Sequence, residues 1–130
     1  MLEELPEQVA DDLLTNPLVA HLATATNDRP HVAPLWFQLH GEDIEVMTTG
    51  TKLANIRENP RVSVSIQKDD AGHPEWMVCI QGTANVIDDD ELTKARNREL
   101  NRKYGAEPDA WLEENSLVRI EVGSVHVTVF

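Results

Sequence analysis

The chain has 130 residues, 41% of them apolar, a length that fits one domain with its own core (residues 1–130) and leaves no room for a second catalytic domain. Eleven Lys and Arg against 23 Asp and Glu give a net charge of −12, which disfavours nucleic acid and anionic membrane surfaces, because binding to phosphate-rich surfaces draws on cations. Such an excess is tolerable where molar salt shortens the Debye length to about 3 Å, which suits a salt-rich, halophilic cytoplasm; an ordinary acidic mesophilic protein is the other reading.

No apolar run approaches the ~18 residues of a membrane span, and the acidic start Met1 to Pro6 lacks the basic character of a leader, so a cytoplasmic protein is expected. Cys79 is the single cysteine, which forbids an intrachain disulfide; its apolar neighbours predict a core thiol.

Pro6 to Asn16 reads as a short helix with Val9, Leu13 and Leu14 on one face, stopped by Asn16-Pro17. Leu18 to Thr26 is strand-like, and the turn cluster Asn27 to Pro30 leads into a second strand, His31 to His40, which together propose a hairpin. Period-two alternation gives that second strand an apolar core face of Ala33, Leu35, Phe37 and Leu39. Its other face carries Val32, Pro34, Trp36 and Gln38, which is neither a solvated face nor a core face, so something is expected to cover it.

Gly41 to Asp43 turns the chain into a third strand, Ile44 to Thr49, and Gly50-Thr51-Lys52 opens a short helix with Leu53 and Ile56 inward, ended by Asn59-Pro60. Arg61 to Gln67 alternates as a half-buried strand with Val62, Val64 and Ile66 inside. Lys68 to Glu75 is predicted as a polar loop. A strand from Trp76 to Ile87 follows, with Val78, Ile80, Ala84 and Val86 on one parity and Gly82 permitting a bend.

Asp88 to Glu91 caps a helix running to about Tyr104, with Arg102-Lys103 suited to its C-terminus and Gly105 as its stop. In the last stretch Val118, Ile120 and Val122 share one parity and Val125, Val127 and Val129 the other, so Gly123-Ser124 is a bulge or corner at which the strand moves around a curved sheet. Six short strands with a long bent closing strand predict a mainly β fold, a β-barrel with flanking helices.

The six glycines form neither a dinucleotide loop nor a phosphate loop of the G-x-x-x-x-G-K type, and no zinc, redox or serine-hydrolase motif is present. The five histidines have no partner at ligand spacing, so no metal site is expected. The most informative segment is Met47 to Arg57, where a strand ends in Thr48, Thr49, Gly50 and Thr51 before a helix whose first turn holds Lys52. Free helix N–H groups, hydroxyls and one ammonium converge there as an anion site suited to phosphate; a Thr-capped helix with a solvated lysine is the other reading. Trp36 likewise stands open between an oligomer contact and a surface for a planar ligand.

Leu22-Ala-Thr24, Arg29 to Phe37, Thr49 to Val62 and Gln81 to Ala84 together resemble the pyridoxamine 5′-phosphate oxidase-like family of split-barrel flavoproteins, in order, over about Leu13 to Val122. The resemblance implies a six-stranded antiparallel split barrel of FMN-binding type that dimerises, with FMN or a deazaflavin, coenzyme F-420, in a groove between subunits. It implies that Lys52, with Thr49, Gly50 and Thr51, meets the cofactor phosphate, and that Pro34, Leu35, Trp36 and Phe37 run beside the ring.

The arginine-rich strand motif and C-terminal tail of the vitamin B6 oxidases themselves are not matched. Pro34 to Phe37 and Arg102 to Gly105 look more like the branch of deazaflavin-dependent reductases. For the acidic tail of a deazaflavin, Lys52, Arg57 and Arg61 are the candidate cations. The expected function is a flavin-dependent oxidoreductase acting on a small molecule. The alternatives are a deazaflavin-dependent reductase or a non-enzymatic flavin or haem binder; His21, His31 and His126 keep the haem version open. Trp76, Trp111 and Gln81 stand open as packing residues or as contacts from a second subunit.

Overall fold

The structure is a computed structural model describing residues 1–130. Leu2–Glu4 forms a 3-10 turn, and helix α1 follows at Glu7–Thr15, burying Val9 and Leu13. Leu14, expected inward, is 56% exposed, because the helix turns only one narrow stripe to the sheet.

Strands β1 (Ala20–Thr26) and β2 (Arg29–Leu35) pair antiparallel around Asn27 and Asp28, both with positive φ (50° and 59°). That mirror-image turn matches the right-handed twist of the strands, and Asn and Asp tolerate it. The predicted second strand then breaks. Trp36 and Phe37 leave the ladder, and β3 (Gln38–His40) resumes with a different neighbour, β4 (Asp43–Thr48).

Helix α2 (Gly50–Glu58) connects β4 to β5 (Arg61–Asp70). The expected polar loop Lys68 to Glu75 is instead a hairpin tip: Asp69 pairs with Pro74 and Asp70 with His73 around Ala71 and Gly72, and β6 spans His73–Ile87. Polarity on both faces there reflects a ladder projecting into solvent.

Helix α3 (Asp90–Tyr104) begins where the Asp89 side chain accepts the Leu92 N–H (3.0 Å) and ends at Gly105 in the left-handed region (φ 73°). Strand β7 (Ser116–Val129) closes the chain. Gln81 pairs with Ser124 but Gly82 with Val122, so Gly123 is the extra residue of the predicted bulge.

All seven strands form one sheet in the order β2-β1-β5-β6-β7-β4-β3. The two edge strands are joined by only Trp36 and Phe37, so the sheet must curl until its edges approach without pairing. The result is a mainly β, antiparallel split barrel with three flanking helices.

Nineteen buried side chains, among them Leu22, Phe37, Ile44, Val64, Trp76 and Ile120, fill its interior. Trp76 is fully buried and donates Nε1–H to Asp12 Oδ2 (2.8 Å), which makes it a core residue tying α1 to the barrel.

Cys79, expected in the core, is exposed. Its neighbours Val78 and Ile80 take the inward parity of β6, which forces residue 79 outward.

A smaller cluster of Met47, Leu100 and Leu117 lies where α3 covers the outward face of β4 and β7, with Trp36 and Tyr104 packed on it. Glu45, 1% exposed on that same face, is held by Arg119 Nη2 (2.9 Å) and Arg96 Nε (2.8 Å), which pins α3 across the two strands. No helix is long and apolar enough to cross a membrane.

Candidate functional site

The β4–α2 junction is built by a strand that ends before its hydroxyls are used. Thr48 is 2% exposed, yet its Oγ1 has no hydrogen-bond partner. Thr49 is the N-cap of α2 in extended conformation, and its side chain makes no capping bond. Gly50 has φ +68°, a conformation that costs glycine least, and the first turn of α2 carries no acid. Helix α3 differs, with Asp89 on its N-terminus and Asp90 and Glu91 behind it.

Lys52 is half-buried and forms no ion pair, although acids outnumber cations by 12 in this chain. The side chains of Arg57 and Arg61 are also free of carboxylates. Free helix N–H groups, unpaired hydroxyls and an uncompensated ammonium suit a dianionic oxygen cluster such as a phosphate.

The rest of α2 is locked. Asn55 Nδ2 donates to Thr24 Oγ1 (3.0 Å), Thr26 Oγ1 donates to Asn55 Oδ1 (3.1 Å), and Asn59 Nδ2 donates to Ala25 O (3.0 Å). The C-terminal half of α2 is therefore tied to β1.

Alternation along β4 turns Glu45, Met47 and Thr49 to one side, so Thr49 lies about 7 Å beyond Met47 on the same face. Met47 is a wall of a cavity of about 230 Å³, with Leu35, Trp36, Leu100 and Trp111 as further apolar walls. Asn97, Asn101 and Asn115 supply its polar part.

Trp36 is not an uncovered surface residue. Its indole stacks on Tyr104 (centroids 4.5 Å apart, 5° between planes) and meets Trp111 edge-on at 5.5 Å.

Phe37 is fully buried and its backbone is fully engaged: its N–H donates to Tyr104 Oη (3.2 Å) and its C=O accepts from Lys103 Nζ (3.0 Å). Lys103 also donates to Leu13 O (3.0 Å) and sits 4.1 Å over the Phe37 ring. Burial without a carboxylate lowers the Lys103 pKa to about 8. Burial also raises the Tyr104 phenol to about 12, against the pull of its hydrogen bond to the Phe37 backbone.

The eight predicted site residues thus divide. Thr49, Gly50, Thr51 and Lys52 cluster at the α2 terminus, and Leu35 and Trp36 face the cavity. Pro34 is exposed on edge strand β2, and Phe37 points into the core.

Met47, Asn97, Asn101, Lys103 and Tyr104 were not anticipated as site residues. The available signal was two amides on the stripe of α3 that carries Leu100 and Tyr104.

A second open groove, about 760 Å³, crosses the outward face of the central strands, with Arg61, Ser63, Gln81, Thr83 and Ser124 in its walls. Beside it His21, Ser65, Cys79 and His126 stand in one register row across β1, β5, β6 and β7. No group of three or more His, Cys, Asp or Glu is arranged to hold a metal ion.

A family model described as pyridoxamine 5′-phosphate oxidase matches residues 6–129. The chain belongs to this family. No curated protein matches it.

Among solved structures, it is 29% identical to an F-420 reductase, with a TM-score of 0.72 over 89% of this chain and 94% of that one. An FAD-binding protein from Mesorhizobium loti shares 25% identity and a TM-score of 0.74, over 95% of this chain and 94% of that one. The haem storage protein HutZ from Vibrio cholerae has a TM-score of 0.79 at 19% identity, over 95% of this chain and 93% of that one, a likeness of fold. This member of the pyridoxamine 5′-phosphate oxidase family thus shares its fold with an F-420 reductase, an FAD-binding protein and a haem storage protein.

Proposed function

We propose that this family member is a flavin-dependent oxidoreductase that holds FMN by its phosphate at Thr49, Gly50, Thr51 and Lys52, and lays the ring along Pro34, Leu35 and Trp36. The observation that carries the reading is the cluster of unpaired donors at the N-terminus of α2. An uncapped helix terminus, the orphaned Thr48 hydroxyl and the unpaired Lys52 gather at the end of β4, with Thr49 about 7 Å along the strand from Met47.

The bound cofactor supplies hydride transfer to or from a small molecule. Lys52 and the α2 amides fix its charged end, Asn55 and Asn59 tie the far half of that helix to β1, and Tyr104 and Lys103 hold the Trp36–Phe37 break rigid beside it. A homodimer completes the site, since Val32 (64% exposed) and Pro34 remain uncovered on β2.

The test is titration of the apoprotein with FMN and with riboflavin, followed by flavin fluorescence. Wild type is expected to prefer FMN clearly. Lys52→Ala should weaken FMN about ten- to a hundredfold, the worth of a charge-assisted contact of roughly 1.5–3 kcal/mol, with folding barely changed. Equal affinity of both proteins for both ligands would sink the reading.

A second reading, a deazaflavin-dependent reductase, is supported by the 29% identity to an F-420 reductase and by the unpaired Arg57 and Arg61, cations available to an acidic cofactor tail. Tighter binding of coenzyme F-420 than of FMN, weakened by Arg57→Ala or Arg61→Ala, would select it.

A further inference from the structure

The cavity beside Trp36 has a polar chemistry that phosphate anchoring leaves unused. Asn97 and Asn101 lie four residues apart on one face of α3, 1% and 2% exposed, and both line it. Buried amides are costly unless their groups are satisfied.

Here the donor halves are satisfied. Asn97 Nδ2 donates to Ala110 O (3.1 Å) and Pro108 O (3.4 Å), and Asn101 Nδ2 donates to Glu107 O (2.9 Å), Pro108 O (3.0 Å) and Ala110 O (3.2 Å). Those bonds fix the orientation of each amide and leave both Oδ1 acceptors for a guest.

Apolar surface makes up most of the remaining wall, and no acidic, basic or histidine side chain lines the cavity. Its volume of about 230 Å³ is below the roughly 300–1,000 Å³ of pockets for drug-sized ligands, which suits one or two rings rather than a tricyclic flavin and its tail. Trp111, one of its walls, is 53% exposed with φ +59°, a strained conformation for an aromatic residue and one that recurs at ligand clamps.

We infer that this cavity binds a small, uncharged, planar molecule carrying N–H or O–H donors, which the Oδ1 atoms of Asn97 and Asn101 read while its flat body packs against Trp36, Met47 and Trp111. Anions are disfavoured because no cation faces in and the two fixed amides of α3 offer only acceptors. Cations find no carboxylate. Assigning the guest as the second reactant of the flavin rests on the function proposed above; its binding does not.

Benzamide, acetophenone and benzoate have nearly the same size, and only benzamide offers N–H donors. Their binding to the apoprotein is measured by calorimetry and by indole fluorescence. Benzamide is expected to bind at least tenfold tighter than acetophenone, and benzoate not measurably.

Asn97→Leu should bring the benzamide-to-acetophenone ratio close to one. Because that variant also loses bonds to the 107–110 turn, Met47→Phe serves as a second probe; it fills the cavity from β4 and should abolish binding of both neutral ligands with the melting temperature kept. Equal affinity for benzamide and acetophenone, tighter binding of benzoate, no binding by wild type, or binding that survives Met47→Phe would each overturn the inference.

FMN and benzamide are expected to bind together. Mutual exclusion would make the cavity the flavin's own seat and overturn the inference. Benzamide binding in a protein that fails to bind FMN would uphold the inference and remove the flavin reading alone.

Discussion

Lys103 shows how a single side chain couples the site to folding. Its ammonium has carbonyl partners and an aromatic face but no carboxylate, and burial lowers its pKa from 10.5 to about 8. Between about pH 8 and 10.5 the unfolded chain binds more protons at this residue than the folded one, so stability should rise with pH across that window. Below pH 8 both states are protonated and the full desolvation penalty is present. The side chain is only half-buried, so solvent screening reduces the effect to about 1 kcal/mol. Urea unfolding at pH 7.5 and 9.5 should show about half of that gain in wild type and none in Lys103→Met; parallel behaviour of the two proteins would remove the assignment. Residues of this kind were hard to read from the sequence, because nothing local distinguishes a lysine under a strand break from one on a helix surface. Cys79 was misread for a related reason: apolar neighbours suggested burial, whereas strand parity alone decides which way residue 79 points.

At the level of elements, most of the fold was legible where one residue type has one physical use. The Asp89 cap and Gly105 stop bound α3, and the parity change at Gly123 marks the bulge. What escaped were features set by distant neighbours: the break at Trp36–Phe37, where the chain passes from one sheet edge to the other, and the hairpin tip at Ala71-Gly72. The anion site was legible because its residues are contiguous; the cavity was not, because α3 joins it from 50 residues downstream of Met47 at Asn97. The bulge also carries a sharp expectation. A Cβ on Gly82 would stand 2.4 Å from the Glu121 carbonyl oxygen and 2.9 Å from Ile120 Cγ2, a clash between backbone segments that no rotamer relieves. Gly82→Ala should therefore cost about 3 kcal/mol or prevent folding. Gly123→Ala, whose Cβ would meet only Gln81 O at 3.2 Å, should cost clearly less. Denaturant midpoints of the two variants decide it, and equal losses would count against the bulge geometry.

For the whole molecule, the acid excess and the way two copies could meet are one question. A chain of net charge −12 repels its own copies, and screening by molar salt relieves this. The outward face of β1, β5, β6 and β7 is unlike the rest of the surface. Its two hollows are lined by Ala23, Ser63, Ser65, Cys79, Gln81 and Ser124 among others, Arg61 is their one Lys or Arg, and no acid is present. A second copy seated on these hollows meets no carboxylate in their walls, so the proposed homodimer should use this face. Sedimentation at micromolar concentration in molar potassium chloride should show a dimer, and the melting temperature should fall as salt drops to 0.1 M. Ser65→Asp places a like charge from each copy in that face, where like-charge juxtaposition opposes binding. It should give monomer at 0.1 M salt and recover dimer in molar salt, where the Debye length is again about 3 Å. A wild-type monomer in molar salt would exclude the dimer. A Ser65→Asp protein that stays dimeric at both salt concentrations would place the contact on another face.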